Sequence, residues 1–390
     1  MNSKRLLSIA RPHSAGISQI ELLVSISILA LFLAVSLPAV QAARDAAGKV
    51  ECLSRIRDLN LAMQSYAVSH RGKLPALTGS FEIFTPRSLP DIGNRGEAPW
   101  TVALLPHIDQ STIYDQLITS EAGKNFAADE VHTIALKSIK TLQCPDSSNA
   151  LGGGLSYVVN AGIIPADLLP SIELDSDHSA KLFDLGYNGY GGEKHTIKEQ
   201  GQVTATGVFW RIPLVPTDRN ATNPPMTGPV NYSLDLISSA DGTSHTLLLA
   251  ENMQARSYSP ETRTGGWIST ATGDIAFGVV VPVTRVEGVC EVALSDIPGG
   301  LGIVGGDASR SLSLSDTPVP PESLINSNRE TAIEGRAPRP SSSHGPGVNV
   351  SFADGSAKFL SEEIDPSVYV RLLSPAGGRF GQFVLNESQF

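Results

Sequence analysis

"GISQIELLVSISILALFLAVSLPAV", residues 16–40, sets a single carboxylate, Glu21, at the mouth of a long apolar run. The stretch 22–43 carries no formal charge. As a helix rising ~1.5 Å per residue it is long enough to cross a hydrocarbon core of ~30 Å. Lys4, Arg5 and Arg11 precede it, while Arg44, Asp45, Lys49 and Glu51 follow with mixed sign. That asymmetry orients the amino terminus to the cytoplasm and everything beyond residue 43 outside. Three readings compete: a membrane anchor, a secretory signal removed after export, or a signal for assembly through the helix. Val40-Gln41-Ala42 has the small residues that a signal peptidase accepts, and Pro38 stands where such signals often break. An ordinary secretory signal, however, has no use for an acid at Glu21.

Helical patterning also continues past that cut. Val50, Leu53, Ile56, Leu59, Met63 and Tyr66 recur every three or four positions, a one-sided stripe. Gly48 is a weak point, costing about 1 kcal/mol against Ala. Arg71-Gly72-Lys73-Leu74-Pro75 supplies the stop. The spacing predicts one helix over 17–70, ~80 Å long, greasy all round in its first half and one-sided in its second.

The remainder, 71–390, has the composition of a folded body. The whole chain has 390 residues, 41% hydrophobic and 17% charged, so it can bury a sizeable core. Thirty-six Gly and 26 Pro imply many turns, hence a β-rich head with long loops. A formal charge of −10 without a basic stripe excludes a dedicated nucleic-acid binder. Cys52, Cys144 and Cys290 show no C-x-x-C spacing, which argues against a zinc ribbon or a thioredoxin-type site. One oxidised pair with one thiol left over, or three buried thiols, are both compatible with the sequence.

Strands are predicted over 155–160, 203–212, 244–251, 275–283, 347–353 and 356–361, with helical text in 98–117 and 131–147. Stretches near 166–230 and 256–340 read as insertions on one sheet domain. In "HGPGVNVSFADGSAKFLSEEIDPSVYVRLL" (344–373), Val348, Val350 and Phe352 alternate with polar residues. Asp354-Gly355 then predicts a two-residue type I′ turn, and Ala357 and Phe359 resume the alternation. Asp365-Pro366 is expected to cap a closing helix. The fold class is therefore α+β: a long amino-terminal helix followed by a mainly antiparallel sheet head with long loop insertions.

Two resemblances attach to these residues. Gly16-Ile17-Ser18-Gln19-Ile20-Glu21-Leu22-Leu23 resembles the processing site of bacterial type IV pilins and type II secretion pseudopilins. That resemblance implies a leader, 1–16, cut after Gly16 by a prepilin peptidase, N-methylation of Ile17, and an acid, Glu21, at the fifth mature position. In that group the acid's proposed partner is the terminal amine of a neighbouring subunit. It also implies an inner-membrane, single-pass protein whose partners are lipid, other pseudopilin-like subunits and inner-membrane secretion components. His344 and Asp354-Gly355, with nine residues between them, resemble the signature of a pseudopilin-like family of unknown function named for its H-x9-DG motif. "LQCPDSS", "LSYVVNAGI" and "DGTSHTLLLAENM" match its other landmarks in order. The family pattern implies a disulfide between Cys52 and Cys144.

Other motif-like patterns along the chain carry weaker signals. Gly300, Gly302 and Gly305 imitate a dinucleotide-binding pattern, but no strand precedes them and no helix follows. Glu173, Asp175 and Asp177 read as a solvated acidic loop rather than a calcium site. A hairpin would send His344 and Asp354 to opposite ends, so the expectation is a turn Asp and a locally hydrogen-bonded His. Trp100, Trp210 and Trp267 are expected in the core. No metal set, cofactor motif or acid–base–nucleophile constellation stands out, and the expectation is a structural protein rather than an enzyme. The alternative is a membrane-anchored surface protein that borrows the signal for export and binds a ligand or glycan through its loops.

Overall fold

A computed structural model describes residues 18–80, 97–119, 129–147, 152–165, 207–210, 232–261, 265–281, 284–286, 289–291, 303–304, 313–314, 319–380, 385 and 390. Gly16 and Ile17, the acidic loop at 173–177, the glycines at 300, 302 and 305, and most of 203–212 lie outside them. Residues 207–210, which are described, carry no strand.

Helix α1 runs over Gln19–Ser69 with Pro38 inside it. The chain divides into two compact units, 1–47 and 48–390. In the first, the apolar side chains of α1 are exposed all round: Leu22, Leu29 and Leu37 are 53%, 60% and 60% accessible. The second unit begins with the one-sided part of the helix. Cys52, Ile56, Leu59, Asn60, Met63 and Tyr66 are its buried stripe, at the spacing that keeps one face inward. The stop is a left-handed pair. Arg71 (φ 60°) and Gly72 (φ 80°) turn the chain, and the Gly72 N–H donates to the Ala67 carbonyl at 2.7 Å.

The central sheet has the order β11-β10-β4-β3-β5. Its strands are β3 (Tyr157–Pro165), β4 (Leu247–Glu251), β5 (Ala276–Val281), β10 (Gly347–Phe352) and β11 (Ala357–Ser361). Short pairs precede and interrupt it: β1 (Thr78–Ser80) with β2 (Glu97–Pro99), β6 (Thr284–Val286) with β7 (Val289–Glu291), and β8 (Ile303–Val304) with β9 (Ser313–Leu314). Three junctions of the central sheet are antiparallel, but β3 and β5 run parallel. The sheet is thus mixed. Strand β5 lies within the stretch expected as an insertion, and the Gly278 N–H bonds to the Pro338 carbonyl at 2.9 Å.

Burial on both faces explains the apolar run of β4. Register places Phe359 beside Asn349 and Tyr157 beside Glu251. Val350 opposite Ala250 sets Asn349 next to Glu251, so one row crosses the sheet as Phe359, Asn349, Glu251 and Tyr157. This row faces α1. Lys49 Nζ sits 3.1 Å from the Phe359 ring centroid, Asn349 Nδ2 donates to the Lys49 carbonyl at 3.3 Å, and Tyr157 Oη donates to the Cys52 carbonyl at 3.2 Å. On the other face Asn160 Nδ2 donates 2.7 Å to the Leu373 carbonyl. That residue ends a closing helix, Pro366–Leu373, which shorter helices precede in the chain. With α2 (Trp100–Leu104), α3 (Ser111–Thr119), α4 (Asp129–Ala135), α5 (Leu234–Ser238) and α6 (Thr272–Ile275) it becomes α7. Asp365 caps it, accepting from the Ser367 N–H at 2.8 Å.

The hairpin joins β10 to β11, but its turn is not type I′. Type I′ needs positive φ at both central residues, and of Ala353, Asp354 and Gly355 only Gly355 has it, at 91°. Phe352 O accepts from the Gly355 N–H at 3.1 Å, and the Phe352 N–H donates to Ser356 O at 2.9 Å. The loop therefore holds three residues, closed by a left-handed glycine. Asp354 serves it locally, accepting from the Ser356 N–H at 2.8 Å. A Cβ on Gly355 would stand 2.6 Å from Gln64 Nε2 on α1.

Candidate functional site

Two regions of α1 carry the chemistry. At its start, Ser18 Oγ accepts from the Ile20 N–H at 3.2 Å while Glu21 Oε2 accepts from the Ser18 N–H at 2.9 Å. This reciprocal pair is a variant of the capping box, with the Ser18 hydroxyl on the N2 rather than the N3 amide. Its S-x-x-E spacing is legible in the sequence, beside an apolar run that makes the charge of Glu21 the more conspicuous feature. An acid there also meets the positive end of the helix dipole. From this cap onward the helix is apolar, exposed and long enough for a single-pass membrane anchor.

The second region lies where α1 begins to be buried. Cys52 and Cys144 form a disulfide with their Cα atoms 5.4 Å apart and a sequence separation of 92. In the chain-entropy view, closing a loop of that length stabilises the fold by about 4–5 kcal/mol. Cys144 leaves the turn that follows Lys140–Leu142, so the bond ties α1 to the segment leading into β3. Arg55 supports the same junction by donating from Nη1 to the carbonyls of Lys140, at 3.0 Å, and Gln143.

His344 belongs to this junction. Its Nε2 lies 3.2 Å from Cys144 Sγ and 3.6 Å from Glu251 Oε1, and its Nδ1 lies 3.6 Å from Asp146 Oδ2. The expectation of a purely local role therefore fails for the ring. Locality holds only for the backbone, whose N–H donates to Ser342 Oγ at 3.1 Å. The cause is geometric: Gly345 (φ 87°) turns the chain just before β10, and the histidine falls against the disulfide. Asp354 and Gly355 are at the far end of the hairpin and take no part in this cluster.

Glu251, the last residue of β4, was not singled out from the sequence. Its side chain is 4% exposed. Asn349 holds both oxygens, its N–H donating to Oε2 at 3.0 Å and its Nδ2 to Oε1 at 2.9 Å. Burial pushes the Glu251 carboxyl above its ordinary range, against the opposing pull of Asn349 and His344. Burial, and then the nearby Glu251, push the Tyr157 hydroxyl well above its usual value. Gly48 is buried one turn before Cys52, and a Cβ there would collide with the Asp146 carboxylate. The helix therefore passes closest to the half-exposed Asp146 carboxylate at this residue.

Four donor atoms meet in this cluster: the sulfurs of Cys52 and Cys144, a carboxylate oxygen of Glu251 and a ring nitrogen of His344, all within 4.8 Å of one another. Sequence reasoning could not assemble the set because each donor comes from a different element. Trp100 and Trp267 are fully buried, whereas Trp210 is half-buried.

No curated protein and no solved structure matches the chain. A family model does match, over 41–367, taking in the later part of α1, the disulfide, the His344 junction and the hairpin. The chain belongs to that family, described as a protein of unknown function (DUF1559), which is the family of the H-x9-DG signature.

Proposed function

We propose that this chain is a membrane-anchored, pseudopilin-like structural subunit that assembles with its neighbours through α1. The observation that carries this reading is the first unit. Its apolar side chains are exposed all round and contain no ionisable group after Glu21 until Arg44. Such a surface requires lipid or other helices to cover it. A prepilin peptidase cuts after Gly16, Ile17 is N-methylated, and the anchor sits in the inner membrane with 71–390 outside the cytoplasm. In the assembled state Glu21 neutralises the terminal amine of an adjacent subunit, since a carboxylate in hydrocarbon persists when a cation meets it. The head then presents its loops to secretion-system partners, and its role is mechanical rather than enzymatic.

The capping box sharpens the test. Gln serves a capping box as Glu does but carries no charge. Glu21→Gln therefore keeps the cap and removes the charge, whereas Ser18→Ala weakens the cap and keeps the charge. The expected outcome is that only Glu21→Gln abolishes crosslinking between subunits in membranes, while both variants remain anchored. Crosslinking unchanged in Glu21→Gln would overturn the charge-pairing role. A mature protein that starts at Ala43 instead of N-methylated Ile17, read by intact mass, would overturn the assembly reading altogether.

A further inference from the structure

The junction under α1 brings together two sulfurs, one imidazole and one carboxylate, a donor set suited to a borderline-soft divalent cation. In the oxidised protein the sulfurs are bonded to each other and cannot ligate. We propose that when the Cys52–Cys144 bond is reduced, Cys52, Cys144, His344 and Glu251 bind one zinc ion, so that disulfide and metal are alternative fastenings of the helix to the sheet.

The geometry supports this directly. With zinc–sulfur distances of about 2.3 Å and zinc–nitrogen or –oxygen distances of about 2.0–2.2 Å, the edges of a ligand tetrahedron are about 3.3–3.8 Å. The four donor atoms already lie within 4.8 Å of one another. Over a Cα separation of 5.4 Å, side-chain rotation is enough to part the two sulfurs. The surroundings are those of a built site. Asn349 orients the Glu251 carboxylate from two donors. Nε2 of His344 faces the Cys144 sulfur, while Asp146 Oδ2 lies 3.6 Å from the other ring nitrogen, Nδ1. A carboxylate behind a histidine is a common outer-shell arrangement for zinc ligands. The ion would also compensate Glu251, otherwise a carboxylate buried at a desolvation cost.

The chemistry balances as thiol–disulfide exchange. A dithiol reductant delivers two electrons to the Cys52–Cys144 bond and leaves as its own disulfide. The two protein thiols then lose their protons to solvent as Zn²⁺ binds the thiolates. In reverse, exchange with a disulfide-bearing partner draws two electrons from the thiolates, re-forms the bond and expels the metal.

The test uses the full chain in detergent, either oxidised or reduced with a dithiol that is then removed without oxygen. Co²⁺ and Zn²⁺ are titrated into each. The expected result is one equivalent of Zn²⁺ bound by the reduced protein alone, with Co²⁺ giving thiolate charge-transfer and tetrahedral bands that Zn²⁺ abolishes. In the reduced state His344→Ala and Glu251→Gln should each weaken binding by about tenfold or more, and the double variant Cys52→Ser/Cys144→Ser should lose it. If reduction loosens the head, Zn²⁺ must restore its circular dichroism. A reduced chain that binds no Zn²⁺, equal binding by the oxidised chain, or binding retained without both cysteines would each overturn the proposal.

Discussion

Asn60 Nδ2, on the buried face of α1, donates 2.7 Å to the carbonyl of Phe352, the last residue of β10 and 292 positions away. At the other end of the same strand Asn349 Nδ2 reaches the Lys49 carbonyl. The helix thus grips β10 twice, and the H-x9-DG spacing is the length of a strand laid against it. His344 stands before the strand begins and Asp354-Gly355 after it ends. The motif's two halves never meet because each serves a different end of this contact.

Removing the upper grip should therefore loosen the hairpin. Asn60 is fully buried, and Gln64 Nε2 donates to its Oδ1 at 3.2 Å. Asn60→Ala deletes a bond to the Phe352 carbonyl, which also accepts from the Gly355 N–H, and removes the acceptor of the Gln64 amide. The expected loss is about 1–2 kcal/mol, seen as a lower thermal midpoint and faster hydrogen exchange at Phe352–Ser356. Unchanged exchange would mean that the helix does not hold the turn.

Gly48 sets helix propensity against packing. Alanine would add about 1 kcal/mol of helix stability, but its methyl needs the space of the Asp146 carboxylate. Asp146 is 43% exposed and can swing into solvent, so the propensity gain should survive. Gly48→Ala is expected to keep or raise the thermal midpoint while moving Asp146 away from His344. The imidazole resonances of His344 report this by NMR. Resonances identical to those of the unsubstituted protein would sink the argument.

What was legible in the chain follows from the range of the forces involved. Helix α1 and the β10–β11 hairpin were readable because periodicity and turn residues act over a few positions. The same locality hid strand direction, since alternation says nothing about whether β5 runs with or against β3. It also hid the true turn. An Asp-Gly pair suits several loops, and the three-residue form here coincides with Asn60 taking the Phe352 carbonyl. Glu251 ends the run LLLAE and looks like a strand meeting solvent; its burial depends on Asn349 and His344, more than 90 residues later. The S-x-x-E spacing of Ser18 and Glu21 is local too, but it sits at the edge of an apolar run whose signal is far stronger.

Arg371 on α7 and Asp241, which follows α5, form a buried ion pair at 2.7 Å, each side chain 3% exposed. Ser374 Oγ adds a contact to the guanidinium at 3.0 Å, and the Gly378 N–H donates to Asp241 Oδ1 at 3.0 Å. Deleting one partner strands the other charge away from water. Arg371→Ala should cost about 3–5 kcal/mol, whereas the apolar pair Arg371→Met with Asp241→Leu should recover most of that loss. Chemical denaturation midpoints of the three proteins decide it. A double variant as weak as the single one would show that the pair contributes more than its own neutralisation.

A second buried carboxylate should leave its own mark on the pH dependence of stability. Asp274, on α6, accepts from Ser269 Oγ at 2.5 Å, and Arg256 Nε lies 3.4 Å away. Burial nevertheless pushes its carboxyl above the ordinary 3.8, outweighing Arg256 and Ser269. Glu334, facing the same arginine, is also raised by burial. The unfolded chain releases the Asp274 proton near 3.8, and the folded chain releases it later. Between those values the folded state binds more protons, so stability is fully present below 3.8 and falls as pH rises through the folded value. Asp274→Asn should flatten this part of the curve of thermal midpoint against pH, and Glu334→Gln should flatten the part set by its own carboxyl. A slope of the opposite sign, with the head gaining stability over this interval in a way that Asp274→Asn abolishes, would mean that Arg256 outweighs desolvation at this site.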